Sequence, residues 1–404
     1  MSSDTDRAAM RPFAALASYS DVRAAAVKLA VPIERSERIS LTSAVGRVLA
    51  GPAMAVVDVP TADRAAMDGF ALRAADAATA GAVLPCCGRL AAGQPADINV
   101  EPGTCVEIAT GASVPGGADA VVPVEHTTRQ GEEVTIGGAV EAGQHVSHRG
   151  EDLLAGRAIG NAGQIVHPAF LSACVAGGLQ ELEVWARPRV LVTPTGDEVV
   201  PVGTELEPGQ VYDSNAAGLQ ALLGRAGAEV ERADIVVDRR DALAEVLQRP
   251  GFDLVITIGG TSVGRRDLVA DVVEDLGQIL VHGVAVRPGK PLLVGLVGGH
   301  AVIGLPGFPT TCMMQAHALV DPLVRRIARQ PVEPHARACE LAEQVRSPAG
   351  MTHLMPVHVE GHIATPSFTF SSAVSSMAQA SGWIEIDPDV TDVAAGSRVD
   401  VFLF

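Results

Sequence analysis

The 404-residue chain is poor in aromatic side chains: Phe, Trp and Tyr together make up 3% of it. Base-stacking platforms for single-stranded nucleic acid need such rings, so that class of protein is excluded. Positive charge is short too. Thirty Lys and Arg face 47 Asp and Glu, and the net charge of −17 has the wrong sign for a nucleic-acid surface. An acidic protein can still hold a small anion, because backbone dipoles act locally. No apolar run approaches the roughly 18 residues of a membrane span, so no membrane association is expected. The opening residues, MSSDTDRAAMRPF, lack a basic segment followed by an apolar one. No export signal is expected, and the cytoplasm is the expected compartment. The six cysteines (86, 87, 105, 174, 312 and 339) lack metal-ligand spacing, and adjacent Cys86 and Cys87 suit neither a disulfide nor zinc.

What remains is a globular composition, 48% hydrophobic and 19% charged. At roughly 150 residues per domain the chain holds two to four domains. The most informative stretch is DLVITIGGTSVGRRD, residues 253–267. Its β-branched run, Leu254 to Ile258, reads as a buried strand. Gly259, Gly260, Thr261, Ser262 and Gly264 then form a turn, and apolar residues at 268, 269, 272, 273 and 276 have helical spacing. Glycines let backbone N–H groups converge, and a helix start adds positive dipole, so the turn is a candidate anion cradle. Asp267 stands at its exit, where a carboxylate either caps the helix or holds a metal.

Around that stretch the texture is α/β from residue 188 to about 328. A strand at 189–193 runs into Thr195, Gly196, Asp197 and Glu198. Asp213, Ser214 and Asn215 precede a helix with Leu219, Leu222 and Leu223 on one face. A further strand ends at Asp238, and GLPGFP (304–309) precedes a helix reaching about Ala328. Alternating strands and helices predict a mixed, mostly parallel sheet with helices on both faces. In such a sheet Glu198, Asp238, Ser262 and Asp267 fall at strand C-terminal ends, where the ligand crevice forms. The flanks read differently. Residues 82–140 and 332–404 show short strands between Gly/Pro turns, which predicts two small β domains. Near the N-terminus, Ser20 is the expected cap of a helix running to about Leu29.

The chemistry on offer is mostly carboxylates, hydroxyls and glycines. Arg265, Arg266, Arg287 and Lys290 are the cations near the crevice, and RPGKP (287–291) suits an oxyanion as well as it suits a plain surface turn. There is no Gly-x-Ser-x-Gly elbow, and GGTSVG lacks the Gly-Lys ending of a Walker loop. Carboxylates beside a phosphate-type cradle suggest a magnesium-assisted step on a phosphorylated ligand. In DRAAMDGFAL (63–72), Asp63 and Asp68 fit either a solvated turn or a loop facing a ligand.

These motifs resemble the MoeA family, the molybdopterin molybdenumtransferases, which are related to the C-terminal part of gephyrin. The resemblance spans about residue 20 to 404. It is carried by DRAAMDGFAL (63–72), GTCVEIATGASVPGGADAVVPVE (103–125), RGEDL (149–153), PTGDE (194–198), YDSN (212–215), GGTSVGRRD (259–267), RPGKP (287–291) and GLPGFP (304–309). It implies insertion of molybdate into adenylylated molybdopterin, with Mg²⁺-dependent release of AMP. The implied architecture is multidomain α/β and β. Residues 20–45 plus 147–180 would form a discontinuous linker domain, and 46–146 an inserted β domain. A central α/β domain of the molybdopterin-binding type would span 181–327, with or without 1–19, and a C-terminal β-barrel-like domain 332–404. It also implies a homodimer whose cleft is completed by the partner's last domain, with transient partners in a molybdopterin adenylyltransferase and molybdoenzymes.

Carried over by motif, Asp63, Asp152, Glu198, Asp238, Asp267 and Arg287 are the catalytic candidates, with Asp238 and Asp267 toward magnesium. Thr110, Thr195, Gly196, Asp213, Ser214, Asn215, Gly259, Gly260, Thr261, Ser262, Gly264, Lys290, Pro306 and Gly307 would bind the ligand, with Ser375 and Ser376 from the partner's last domain. The chain departs from the family pattern where Ser147 and His148 precede Arg149. It also departs at Gly283 and Met351, where cations are common, at Phe308 in GLPGFP, and at Ala65. Two other readings share these residues: a non-catalytic pterin-binding scaffold, and a molybdopterin adenylyltransferase, which would lack the flanking β domains.

Overall fold

The computed structural model describes residues 15–261, 267–332 and 336–404. The chain divides into two compact units, Ser36–Val184 and a second made of the N-terminal residues to Arg35 with Trp185–Phe404.

The second unit holds the α/β sheet. Its strands are β1 (Arg189–Pro194), β2 (Glu229–Arg232), β3 (Leu254–Ile258), β4 (Gly277–His282), β5 (Val286–Arg287), β6 (Leu293–Val297) and β7 (His300–Leu305). Six of them form one sheet in the order β2-β1-β3-β7-β6-β4. β2, β1, β3 and β7 run parallel, and β6 and β4 are antiparallel additions. The mixed, mostly parallel sheet expected from the alternating pattern is therefore present. β3 is buried at all five residues, as a strand covered on both faces must be. The chain leaves β1 toward β2 on one side and returns to β3 on the other. That makes the β1/β3 boundary the topological switch point, where crevices open at strand C-terminal ends.

The helices are α1 (Tyr19–Leu29), α2 (Asn215–Arg225), α3 (Arg240–Leu247), α4 (Leu268–Leu276), α5 (Pro309–Gln315) and α6 (Asp321–Ile327), with a π-helical stretch, Ala316–Val320, joining the last two. They sit on two apolar clusters. Val190, Val192, Ile256 and Ile303 meet α1, α2, α5 and α6 in one. Leu191, Val255 and Val302 meet α3 and α4 in the other. Alternate residues of one strand thus feed opposite faces. α1 is capped by Ser18, whose Oγ accepts from the Asp21 amide at 3.1 Å. Ser20, the expected cap, lies one residue inside the helix. α1 buries Tyr19, Val22 and Ala26 in the α/β core, whereas the sequence grouped residues 20–45 with 147–180. Ala17 fixes this placement by pairing with Val284.

After α6 the chain builds a closed barrel from β8 (Ala336–Leu341), β9 (Thr352–Glu360), β10 (Ile363–Pro366), β11 (Gly382–Ile386) and β12 (Arg398–Leu403). The ring of pairings is β9-β10-β8-β12-β11 and back to β9. Closure removes both edges of a small sheet. A short helix, α7 (Val374–Ala378), lies between β10 and β11. β5 joins the barrel to the α/β domain by pairing in parallel with β9, Arg287 opposite His353.

The unit Ser36–Val184 carries a six-stranded sheet in the order Ala120–Pro123, Gly69–Leu72, Cys105–Ile108, Val83–Leu90, Glu133–Ile136, Thr127–Gln130. A separate cluster of Leu41, Leu49, Phe170 and Leu182 forms around the helix Pro168–Ala176. Among the described residues, no helix is long and apolar enough to cross a membrane.

Ile256, at the middle of β3 and fully buried, tests the core of the α/β sheet. Ile256→Ala is expected to destabilise the unit Trp185–Phe404 by about 2–5 kcal/mol. The readout is the urea midpoint of that unit's unfolding transition.

Candidate active site

Beyond Pro194 the β1 backbone continues alongside β3 for one more residue. The Thr195 amide and the Thr195 hydroxyl both donate to Ile258 O, at 2.9 and 3.0 Å. The chains then part. Gly259 has φ +88°, and a Cβ there would stand 3.0 Å from Thr195 O, so only glycine turns the corner. The gap opens into a pocket of about 820 Å³, wholly within one unit. Its walls come from the C-terminal ends of β1, β3 and β7, from the loop before α2, and from Ser372 and Val374 of the barrel domain.

Twelve of the sequence candidates line this pocket together: Thr195, Gly196, Glu198, Asp213, Ser214, Asn215, Asp238, Gly259, Gly260, Thr261, Pro306 and Gly307. Asp267, Arg287, Lys290, Ser375 and Ser376 belong to the same unit and do not line it. Ser262 and Gly264, with Arg265 and Arg266, lie outside the described residues. Asp63, Thr110 and Asp152 belong to the unit Ser36–Val184.

The lining groups differ in how free they are. Asp213 is spoken for: its Oδ1 accepts from the Ala216 amide at 3.0 Å, and its Oδ2 takes Arg232 at 2.9 Å. It caps α2 in place of Ser214, whose side chain makes no cap hydrogen bond. Asn215 donates from Nδ2 to Gly307 O at 2.8 Å and so ties the start of α2 to the loop before α5. Glu198 and Asp238 are exposed on the loops that follow β1 and β2; the strand expected to end at Asp238 stops at Arg232, so Asp238 stands on the loop beyond it. Glu198 folds back over Gly196, where a Cβ would meet its carboxylate at 2.7 Å. Asp197 accepts the Asp238 amide at 3.2 Å. The Asp238 carboxyl is held above the ordinary range by partial burial, then by the charges of Asp197 and Glu198. The polar floor is bordered by exposed apolar residues: Leu206, Val211, Tyr212, Phe308 and Val374. Phe308 is 61% exposed. Sequence reading missed this rim, because exposed apolar residues scattered over loops have no period.

Asp267 is held at both oxygens. Oδ1 accepts from the Ala270 amide at 3.1 Å, which makes Asp267 the N-cap of α4, and Oδ2 meets His282 Nε2 at 2.6 Å. Arg287 and Lys290 are exposed on the RPGKP turn. Ser375 is exposed on α7, and Ser376 is buried, its Oγ accepting from the Thr369 amide at 3.1 Å. Among the described residues no group of three or more His, Cys, Asp or Glu is arranged to hold a metal ion.

In the unit Ser36–Val184, Asp63 Oδ1 accepts the Arg149 amide at 2.8 Å, and His148 Nδ1 approaches Oδ2 at 3.4 Å. The Arg149 amide, then the His148 ring, hold its carboxyl below the usual range. Asp152 is exposed. Asp68, which the sequence reading left uncommitted, binds Thr110 twice. Its Oδ1 accepts from the Thr110 amide at 2.6 Å and from the Thr110 hydroxyl at 2.9 Å. The AMDG and ATG motifs therefore act as one element, a link that only the pairing of Gly69–Leu72 with Cys105–Ile108 brings about.

Fold and site define a multidomain protein whose doubly wound domain offers a crevice of amides and carboxylates at its switch point, with β domains alongside. Models of known families cover almost all of it. The MoeA N-terminal region (domain I and II) matches residues 17–178, a probable molybdopterin binding domain matches 195–326, and the MoeA C-terminal region (domain IV) matches 338–404. The chain is 36% identical over 384 residues to molybdopterin molybdenumtransferase 2 of Mycobacterium tuberculosis, covering 90% of this chain and 94% of the relative. It is 34% identical over 385 residues to the molybdopterin molybdenumtransferase of Synechococcus elongatus, with the same two coverages, 90% and 94%. A solved molybdopterin biosynthesis MoeA protein from Pyrococcus horikosii superposes with a TM-score of 0.83 at 32% identity, over 96% of this chain and 99% of that one. The chain belongs to the MoeA family.

Asp238 yields a pH prediction. Its folded-state value is raised above the 3.8 of an unfolded aspartate. The associated stability is full below that value and lost as pH rises through the folded one. Without magnesium, Asp238→Asn is therefore expected to raise the melting temperature at pH 7. The gain should shrink toward zero as the pH is taken below about 4, as followed by calorimetric melting across the range.

Proposed function

We propose that the chain is a molybdopterin molybdenumtransferase that inserts molybdate into adenylylated molybdopterin and releases AMP. The observation that carries this is the switch-point pocket: twelve motif residues from the ends of β1, β3 and β7, the start of α2 and the loop after β2 meet there, and two of them, Glu198 and Asp238, are exposed carboxylates. The amide-rich corner at Gly259–Thr261 and the start of α2 suit the phosphate link between pterin and AMP, because helix N-termini and glycine turns present N–H groups to anions. The apolar rim, Phe308 with Tyr212 and Val374, suits the flat faces of a fused heterocycle. Glu198 and Asp238 suit the water that cleaves the link.

Magnesium fits the donor set. Hard oxygen donors are what the ion prefers, and it binds through one or two carboxylates plus substrate phosphates, so a full protein cage is not needed. Asp238 is the residue that would hold it, since mutual repulsion with Asp197 and Glu198 leaves it in need of a cation. Asp267, bound at both oxygens, would fix the start of α4. The ion would supply charge neutralisation at the phosphate. RPGKP would bring Arg287 and Lys290 to the oxyanion. A homodimer, a cytoplasmic setting and transient meetings with an adenylyltransferase and with molybdoenzymes belong to the same reading.

The test is AMP release by the purified chain given adenylylated molybdopterin, molybdate and Mg²⁺. ATP consumption with no AMP release would sink the proposal in favour of an adenylyltransferase. Asp267→Asn is expected to lower turnover by at least about 100-fold with the fold intact, since asparagine caps a helix nearly as well. Retained activity would mean that Asp267 is a cap alone. Phe308→Ala is expected to weaken ligand binding by about 10-fold, read as the KM for the adenylylated pterin.

A further inference from the structure

Gln315 ends α5 and is fully buried. Its neighbours on the core side, Cys312 and Met314, are apolar. A primary amide in such a place costs free energy unless its groups find partners. Nε2 has one, donating to Pro288 O at 2.9 Å. Oε1 has none among the described residues. The amide therefore serves a single bond, and that bond holds the RPGKP turn.

The turn is anchored at both ends by backbone. Val286 and Arg287 pair with Thr352 and His353 of β9. Lys290 O accepts from the Val284 and Leu292 amides, at 2.9 and 3.0 Å. Between those anchors lies the Pro288–Gly289 apex, and Gln315 stands directly against it. Gly289 has φ +119°, and a Cβ there would lie 2.6 Å from Gln315 Nε2. The side chains on either side of the apex, Arg287 and Lys290, are exposed. α5 begins at Pro309, and Gly307, Phe308 and Pro309 line the pocket. One short helix thus ties a pocket loop at its start to the cationic turn at its end.

We infer that Gln315 is a positioning residue: its buried amide fixes the Pro288–Gly289 apex so that Arg287 and Lys290 present their charges together to an oxyanion. The inference rests on the reading that this protein takes molybdate. Gln315→Met removes the unpartnered Oε1 and leaves Pro288 O without its donor; the two effects on folding oppose each other while the turn loosens.

The experiment uses the full chain and molybdate itself. Titration calorimetry gives molybdate affinity, AMP release gives KM and kcat, and thermal melting reports the fold. Gln315→Met is expected to weaken molybdate binding and raise its KM by about 10-fold, with kcat within about 2-fold and melting nearly unchanged. Gln315→Glu, which sets a carboxylate against the Pro288 carbonyl, should be weaker still. Because Gln315 acts through the turn, adding Gln315→Met to Lys290→Ala should cost less than it costs alone. Wild-type affinity in Gln315→Met, or full additivity with Lys290→Ala, would overturn the inference. A wild-type chain that binds molybdate but releases no AMP would overturn the transferase reading and leave this one standing. A wild-type chain that binds no molybdate would overturn both.

Discussion

Two hydrogen bonds from one threonine organise the site. Thr195 donates its amide and its hydroxyl to Ile258 O. This clamps β1 to β3 just past the point where the regular ladder ends, and the hydroxyl leaves no donor for water to compete for. With the strands held there, their continuations must diverge at once. The divergence falls on Gly196 and Gly259, both at positive φ. The walls built by the strand ends follow from this constraint. Glu198 rises from the β1 side, Gly260 and Thr261 from the β3 side, and Gly307 closes the third edge through Asn215. A residue with a side chain at 259 would push into Thr195 O and separate the strand ends.

The charge pattern follows from the same geometry. Parallel strands deliver their C-terminal loops to one edge, so carboxylates carried on those loops are forced together. Asp197, Glu198 and Asp238 are close enough that burial and mutual repulsion lift the Asp238 carboxyl. Other carboxylates already have partners. Asp213 is bonded to Arg232 and the Ala216 amide, and Asp267 to His282 and the Ala270 amide. The protein thus separates carboxylates that build the walls from carboxylates left to meet a ligand. Residue type alone does not make that separation, since all five are acidic and lie near strand or helix ends.

That is also where sequence reading succeeds and where it stops. The strands at 189 and 254 and the helix after Asp267 are visible because each has a local period and a local terminator. The placement of Glu198 just past the end of β1 follows from the α/β alternation, whereas the strand expected to run to Asp238 ends at Arg232. Partner identity is another matter. Nothing near Asp68 in the chain points to Thr110, and nothing near Pro288 points to Gln315, because each pair is made by tertiary packing across long stretches of sequence. The two-residue error at the α1 cap has a local cause. Ser18 and Ser20 both suit the role, and the choice falls to Ser18 because its Oγ reaches the amide three residues on. The grouping of residues 20–35 differs for a global reason: the apolar face of α1 needs a core, and Ala17, paired with Val284, delivers it to the α/β sheet.

The junction of the two folds in the unit Trp185–Phe404 explains why the cationic turn stays available. β5 is only two residues long, and it leaves the α/β sheet to join the barrel beside β9. Opposite Arg287 in that register stands His353, buried, with neither ring nitrogen partnered among the described residues. Burial, then the charge of Arg287, pushes the His353 ring down to about 4, so it is neutral at ordinary pH. A carboxylate at 353 would pair with Arg287 and cancel its charge. A protonated imidazole would repel it and strain the register. A neutral ring does neither, and the guanidinium keeps its charge directed outward. The barrel thus fixes the turn through backbone pairing without consuming the charge the turn carries.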